Sequence, residues 1–303
     1  MIPMAAVENH RTHNFSRFYN NKQKTFRVFP GNNKNASWIV FHNGRYMAHQ
    51  MWETFALQFN RLGLNVLTYD FINQGNHRTD PTQNTINQYA QYSLDLLNYL
   101  EIPTDKSIHI GLSFGAQILR ELVTHMEMRF QYMYCLGLHP RTYDHAQMVN
   151  HELWLQAFEY GGVKAAGNLI SQSIHSASQK NRNASALSSS VSRLEDRYSY
   201  RPEAFKAITE VTYLDVKHNL LVPVDQERYY TNGVFIVGEE DVVSPRETMK
   251  YAQSKSIPVH VMENVGHMPI IDAPQETLGF IINNLFSQGL IVDSRQGVRE
   301  LKM

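Results

Sequence analysis

Three short stretches of this chain carry residues that could do nucleophilic chemistry together: Gly111-Leu112-Ser113-Phe114-Gly115, the acidic run Glu239-Glu240-Asp241, and Gly266-His267. A serine hydroxyl is a poor nucleophile alone. It needs a base within hydrogen-bond reach and a third group to orient that base. Ser113, Asp241 and His267 stand in the order serine, acid, histidine, and such a set attacks an ester, thioester or amide carbonyl to form an acyl-enzyme. A G-x-S-x-G pentamer arises by chance in roughly one chain in ten of this length, so its setting must decide. Here it follows the apolar run "SIHI" and opens a segment with apolar residues at helical spacing. That strand-turn-helix setting projects a hydroxyl from the end of a sheet. The flanking glycines are expected because a sharp turn leaves no room for side chains two residues to either side. The N-terminus of the helix behind Ser113 also aims backbone N–H groups at any anion formed there.

These residues need a scaffold, and the chain supplies one. Short apolar, β-rich runs recur at 25–29, 37–42, 65–70, 107–112, 131–139, 233–238 and 257–262. Several are apolar throughout, as in strands covered on both faces. Helical patterns lie between them: Trp52, Phe55, Phe59 and Leu62; Ile86, Ala90, Leu94 and Leu97; Leu119, Leu122 and Met126; Leu278, Ile281 and Leu285. The alternation predicts an α/β fold with a mainly parallel sheet and helices on both faces. Ser113, Asp241 and His267 each fall just past the carboxyl end of a predicted strand, the edge where open α/β sheets place their sites. From 143 to 231 no strand is evident, although Val163, Ala166, Ile170 and Ile174 keep helical spacing. The expected organisation is a core from 1–142 and 232–303 with a helical cap, 143–231, inserted over the sheet edge.

On these residues the chain resembles the α/β-hydrolase fold family from about residue 24 to 288. The family carries its acid in G-x-x-D-x-x-x-P, which Gly238, Asp241 and Pro245 match, leaving Glu239 and Glu240 as solvated neighbours. Its histidine follows a glycine and precedes a proline-bearing helix start, as do Gly266, His267 and "DAPQE". The resemblance implies an oxyanion hole from the backbone N–H of Phe114 and a second N–H in the loop "HNGRYM", that of Arg45 or, with the alignment moved by one residue, Gly44. The Arg45 side chain reads as an exposed loop arginine, with an anionic substrate group as the alternative partner. Asp70 reads as a structural strand-end residue, since its strand precedes the nucleophile. The Asn43-Gly44 loop, a glycine five residues after Asp70 and the helical cap are also similar to acyltransferases that join 3-hydroxyacyl units for rhamnolipid precursors. Water as acceptor makes the chain a hydrolase of esters or thioesters, the leading reading. A hydroxyl acceptor makes it an acyltransferase, and a non-catalytic binding protein on the same fold is the third alternative.

Composition narrows the partners. Lys plus Arg and Asp plus Glu both total 28, so nothing favours a polyanion and no nucleic-acid partner is expected. A small-molecule acyl substrate, lipid-like if the apolar stripe of the cap meets its chain, is the expected partner. No window approaches the length of a membrane span and no secretory leader is evident, so a cytoplasmic protein is expected. The single cysteine, Cys135, reads as a buried strand residue. His42, His49, His109 and His260 read as packing or strand-end residues. No metal and no cofactor are expected, because no histidine pair has ligand spacing and "HELWL" lacks the second histidine of a zinc-protease helix.

Overall fold

The computed structural model describes residues 19–20, 23–33, 35–77, 79–80, 85–139, 145–183, 185–218, 231–243 and 245–291. The apolar runs become β1 (Phe26–Phe29), β2 (Trp38–His42), β3 (Asn65–Tyr69), β4 (Ser107–Leu112), β5 (Tyr132–Leu136), β6 (Gly233–Gly238) and β7 (Val259–Met262). They form one sheet in the order β1-β3-β2-β4-β5-β6-β7. β1 runs antiparallel to β3 and the other neighbouring pairs are parallel. β5 is shorter than its apolar run because Gly137, at φ +55°, turns the chain out of the ladder.

Side chains alternate across the sheet as the pleat requires. Ile39, Phe41, Ile108, Ile110, Tyr134 and Leu136 face one layer with α1 (Glu53–Arg61) and, near the C-terminus, α10 (Pro274–Ser287). Val40, Met133 and Cys135 face the other, with α2 (Ile86–Tyr99) and α3 (Phe114–Thr124). Burial is complete along β4 and β5, whereas β7, at the sheet edge, leaves Val261 46% exposed. The buried Cys135 thiol is pushed up to about 12 by desolvation, which makes it inert.

Helices occupy the chain between β5 and β6: α4 (His145–Ile174), α5 (Ala177–Arg182), α6 (Ser185–Tyr198) and α7 (Pro202–His218). α4 is kinked at Gly161–Gly162, where Gly162 takes φ +63°. The Ser- and Asn-rich stretch, a poor helix former by composition, nevertheless folds as α5 and α6. Val191, Leu194 and Tyr198 explain it, since their spacing gives α6 a buried face. Three helical side chains, Arg197, Tyr198 and Thr209, and that of Arg201 in the turn before α7 reach down to the loops beyond β2 and β3. Tyr46 Oη donates to Thr209 Oγ1 at 2.7 Å, and an Arg197 guanidinium N–H donates to the Tyr46 carbonyl. Tyr198 Oη donates to the Asn73 carbonyl at 3.1 Å, and Arg201 donates to those of Gly75 and His77 at 2.7 and 3.0 Å. α8 (Pro245–Ser254) and the one-turn α9 (Pro269–Asp272) complete the described helices; of the tail from 290, residues 292–303 lie outside the described residues.

Candidate active site

The turn at Ser113 is built by its neighbours. The Ser113 N–H extends the β4–β5 ladder to the Leu136 carbonyl at 2.7 Å, and the residue then adopts φ +50°, ψ −106° before α3 begins. That conformation is costly for a residue with a Cβ. Its retention depends on backbone packing that the two glycines permit. A Cβ on Gly115 would lie 2.2 Å from the His42 carbonyl oxygen, and one on Gly111 would lie 2.6 Å from that of Gly115. The turn is thus wedged against the end of β2, which the register pairs with Gly111.

The strand ends bring the three singled-out side chains together. His267 Nε2 lies 2.8 Å from Ser113 Oγ, and His267 Nδ1 lies 2.9 Å from Asp241 Oδ2. Asp241 accepts a second bond at Oδ1 from the Val243 N–H, 2.7 Å. Asp241 and His267 are buried, and Ser113 is partly exposed. With the carboxylate able only to accept, His267 carries its proton on Nδ1 and offers the Nε2 lone pair to the serine. Neither neighbouring glutamate reaches the imidazole. Glu239 accepts from the Asn264 N–H at 3.3 Å. Glu240 stays open to solvent, and its carboxylate accepts from both the N–H and the hydroxyl of Ser178 in α5, which holds its pKa below the usual range.

The loop after β2 is held from beneath. Asp70, buried at the end of β3, accepts from the N–H of His49 (2.6 Å) and Asn76 (2.9 Å), in keeping with a structural role. Burial nonetheless raises its pKa. Asn43 Oδ1 accepts from the Trp52 indole at 3.0 Å. Below it runs a buried row of polar groups that the sequence did not reveal as a unit. Tyr69 Oη and His42 Nδ1 are 2.6 Å apart, His42 Nε2 and His109 Nδ1 2.8 Å, and His109 Nε2 and Ser107 Oγ 2.8 Å. Ser107 gives its one proton to the Thr104 carbonyl. The row accommodates two neutral imidazoles, each donating from Nε2 and accepting at Nδ1, when Tyr69 gives its proton to His42 and accepts from Ser93 at 2.8 Å. Burial depresses both pKa values, that of His42 to about 3.

A pocket opens on Ser113 and His267. Its wall is Arg45, Tyr46, Gln117, Trp154, Ile170 and Met268, with His139, His151, Ile174 and Val243. Arg45 is not the exposed loop arginine of the sequence reading. Its Nε and Nη1 are buried, under the α4 residue Trp154. Sequence reasoning passed over Gln117, Trp154 and His151 because nothing local marks them; they meet Ser113 only through the paths of α3 and α4. It also passed over Asp272. This buried carboxylate accepts from the Gly266 N–H (2.8 Å), the Ser176 N–H (3.3 Å) and His175 Nδ1 (3.4 Å), tying the His267 loop to the end of α4. Desolvation raises its pKa, but those hydrogen bonds and the His175 ring outweigh it and leave the group lowered. Among the described residues, no group of three or more acidic, histidine or cysteine side chains is arranged to hold a metal ion. None of the described helices is long and apolar enough to cross a membrane.

No curated protein sequence matches the chain significantly. Similar solved structures include MGS-M2, an alpha/beta hydrolase enzyme from a Medee basin deep-sea metagenome library. It has a TM-score of 0.73 at 18% identity, over 88% of this chain and 94% of its own. An esterase from Exiguobacterium antarcticum gives 0.68 at 12% identity, over 86% and 94%. The enol-lactonase from Burkholderia xenovorans LB400 gives 0.66 at 17%, over 86% and 95%. At these identities the likeness is one of fold. The model of the alpha/beta hydrolase family itself matches residues 39–279, most of the chain, which therefore belongs to that family.

Proposed function

We propose that the chain hydrolyses a small carboxylic ester or thioester through an acyl-enzyme on Ser113. The observation that carries this reading is the continuous hydrogen-bonded row Ser113–His267–Asp241, with its serine end in a pocket. In the reaction His267 Nε2 takes the Ser113 proton as Oγ bonds to the substrate carbonyl carbon, and Asp241 stabilises the imidazolium. The Phe114 N–H opens α3 and has no partner within the helix, so it is available to the oxyanion. The Gly44 N–H is turned to Met47 Sδ at 3.1 Å, which favours the Arg45 N–H as the second donor. Collapse of the tetrahedral species expels the alcohol or thiol with the proton from His267. Water then attacks the acyl carbon while losing a proton to the same nitrogen, and as the bond to Oγ breaks that proton passes to Ser113, releasing the acid and the free enzyme. Residues 143–231 act as a cap, a role supported by Trp154, Ile170 and Ile174 of α4 lining the pocket.

A fluorophosphonate probe tests the nucleophile: wild-type protein should be labelled once, at Ser113, and Ser113→Ala should be neither labelled nor active. Folded wild-type protein that resists the probe would refute the reading. 4-Nitrophenyl esters and acyl thioesters, assayed with and without hydroxyacyl acceptors, then separate hydrolysis from acyl transfer to a hydroxyl.

A further inference from the structure

Among the described residues that line the pocket, none is acidic, so none neutralises the cation of Arg45. Nε and Nη1 of Arg45 are both buried, and neither has a hydrogen-bond partner. Its guanidinium carbon lies 5.6 Å from the ring centroid of Trp154 and 5.8 Å from that of Tyr46. Such ring contacts stabilise the charge but leave in-plane N–H donors unused. Leaving buried donors empty is unfavourable unless a ligand fills them. The other polar side chains on the wall are Ser113, Gln117, His139, His151 and His267, and none is a carboxylate.

We propose that the Arg45 side chain is an anion receptor and that the substrate carries a carboxylate close to the carbonyl attacked by Ser113. Arg45 is the one permanently charged side chain on the described wall, so it matches a monoanion. The cavity, which opens to solvent, is about 60 Å³, room for a carboxylate and a few carbons. Trp154, Ile170 and Met268 supply an apolar surface for those carbons. The inference names the substrate class of the acyl-transfer reading and rests on it for turnover, while binding of the anion can be measured apart from turnover.

The test compares mono-4-nitrophenyl glutarate with uncharged 4-nitrophenyl pentanoate, and 4-carboxyphenyl pentanoate, whose charge lies on the leaving group, with uncharged 4-carbamoylphenyl pentanoate. For wild type, kcat/KM with a charged ester should exceed that with its uncharged counterpart by roughly 10- to 100-fold, the range of one charge-assisted hydrogen bond. Arg45→Met should bring the ratio to about one, and Arg45→Lys should retain part of it. A ratio unchanged in Arg45→Met, or a wild-type preference for the uncharged ester, overturns the proposal. Calorimetry of glutarate against pentanamide on Ser113→Ala protein, with and without Arg45→Met, separates the two claims. Glutarate binding that needs Arg45, with no probe labelling of wild type, keeps the anion site and removes the acyl-enzyme. Equal glutarate binding by both proteins removes the anion site and leaves the nucleophile standing.

Discussion

Lowering the pH from 7 to 5 should cost this fold about 2 kcal/mol through His42, and more through His109, two histidines that take no part in the proposed chemistry. His42 and His109 are fully buried and hydrogen-bonded to each other in one neutral arrangement. Desolvation lowers the pKa of His42 to about 3, and desolvation together with the neighbouring His42 ring lowers that of His109. In the unfolded chain both titrate near 6.5. Between those limits the unfolded state binds protons that the folded state refuses, so stability is full above about pH 6.5 and falls as the pH drops. At pH 5 the loss from His42 is 1.5 pH units at ~1.4 kcal/mol per unit, about 2 kcal/mol, and the lowered His109 adds to it in the same direction. Burial lowers the pKa of His49 and His260 too, adding to the same slope. Asp70 is raised by burial and acts with the opposite sign nearer the carboxylate range, so pH 5 is a suitable lower limit. Urea unfolding followed by circular dichroism at pH 7, 6 and 5 measures the effect. His109→Gln, although less stable at pH 7, should show a shallower decline on acidification. A midpoint constant from pH 7 to 5, or an undiminished slope in the variant, would refute a neutral buried pair.

Two further substitutions probe the site. Asp241→Asn removes the carboxylate that orients His267 and should lower kcat by about 10³- to 10⁴-fold, whereas Glu240→Gln should change it only a few-fold; comparable losses in steady-state assays would contradict the partner distances. Asp272→Asn weakens the bonds from Gly266, Ser176 and His175 and should cost about 1–3 kcal/mol in urea unfolding, with kcat reduced more than KM changes. Wild-type stability in that variant would show that the carboxylate does not tie the His267 loop to α4.

Much of the fold was legible because the sheet is covered on both faces. That covering demands uninterrupted apolar runs, and the seven predicted runs correspond to β1–β7 within a few residues at each end. Ser113 was legible for a similar reason, since the close approach of α3 to β2 excludes side chains at 111 and 115 and so leaves its record as glycine. Asp241 and His267 could be proposed from their places after strand ends. The rest left no local record. Helix α6 was obscured by its Ser-rich composition, because three buried residues on one face outweigh weak propensity only when there is a surface to bury them against. The His42–His109 row is invisible along the chain, where its members look like separate packing residues.

By itself the sequence determined the order of the strands along the chain, the sharp turn at Ser113 and the succession of serine, acid and histidine. These are properties of backbone sterics and of short segments. Tertiary structure alone decided that Arg45 lies beneath Trp154 with two nitrogens unpaired, that Glu240 bonds to Ser178 and not to His267, and that Asp272 joins the His267 loop to α4. Each of those facts is a distance between segments tens to more than a hundred residues apart. Such distances exist only once the sheet has closed and the helices from 145 to 218 have settled on its edge.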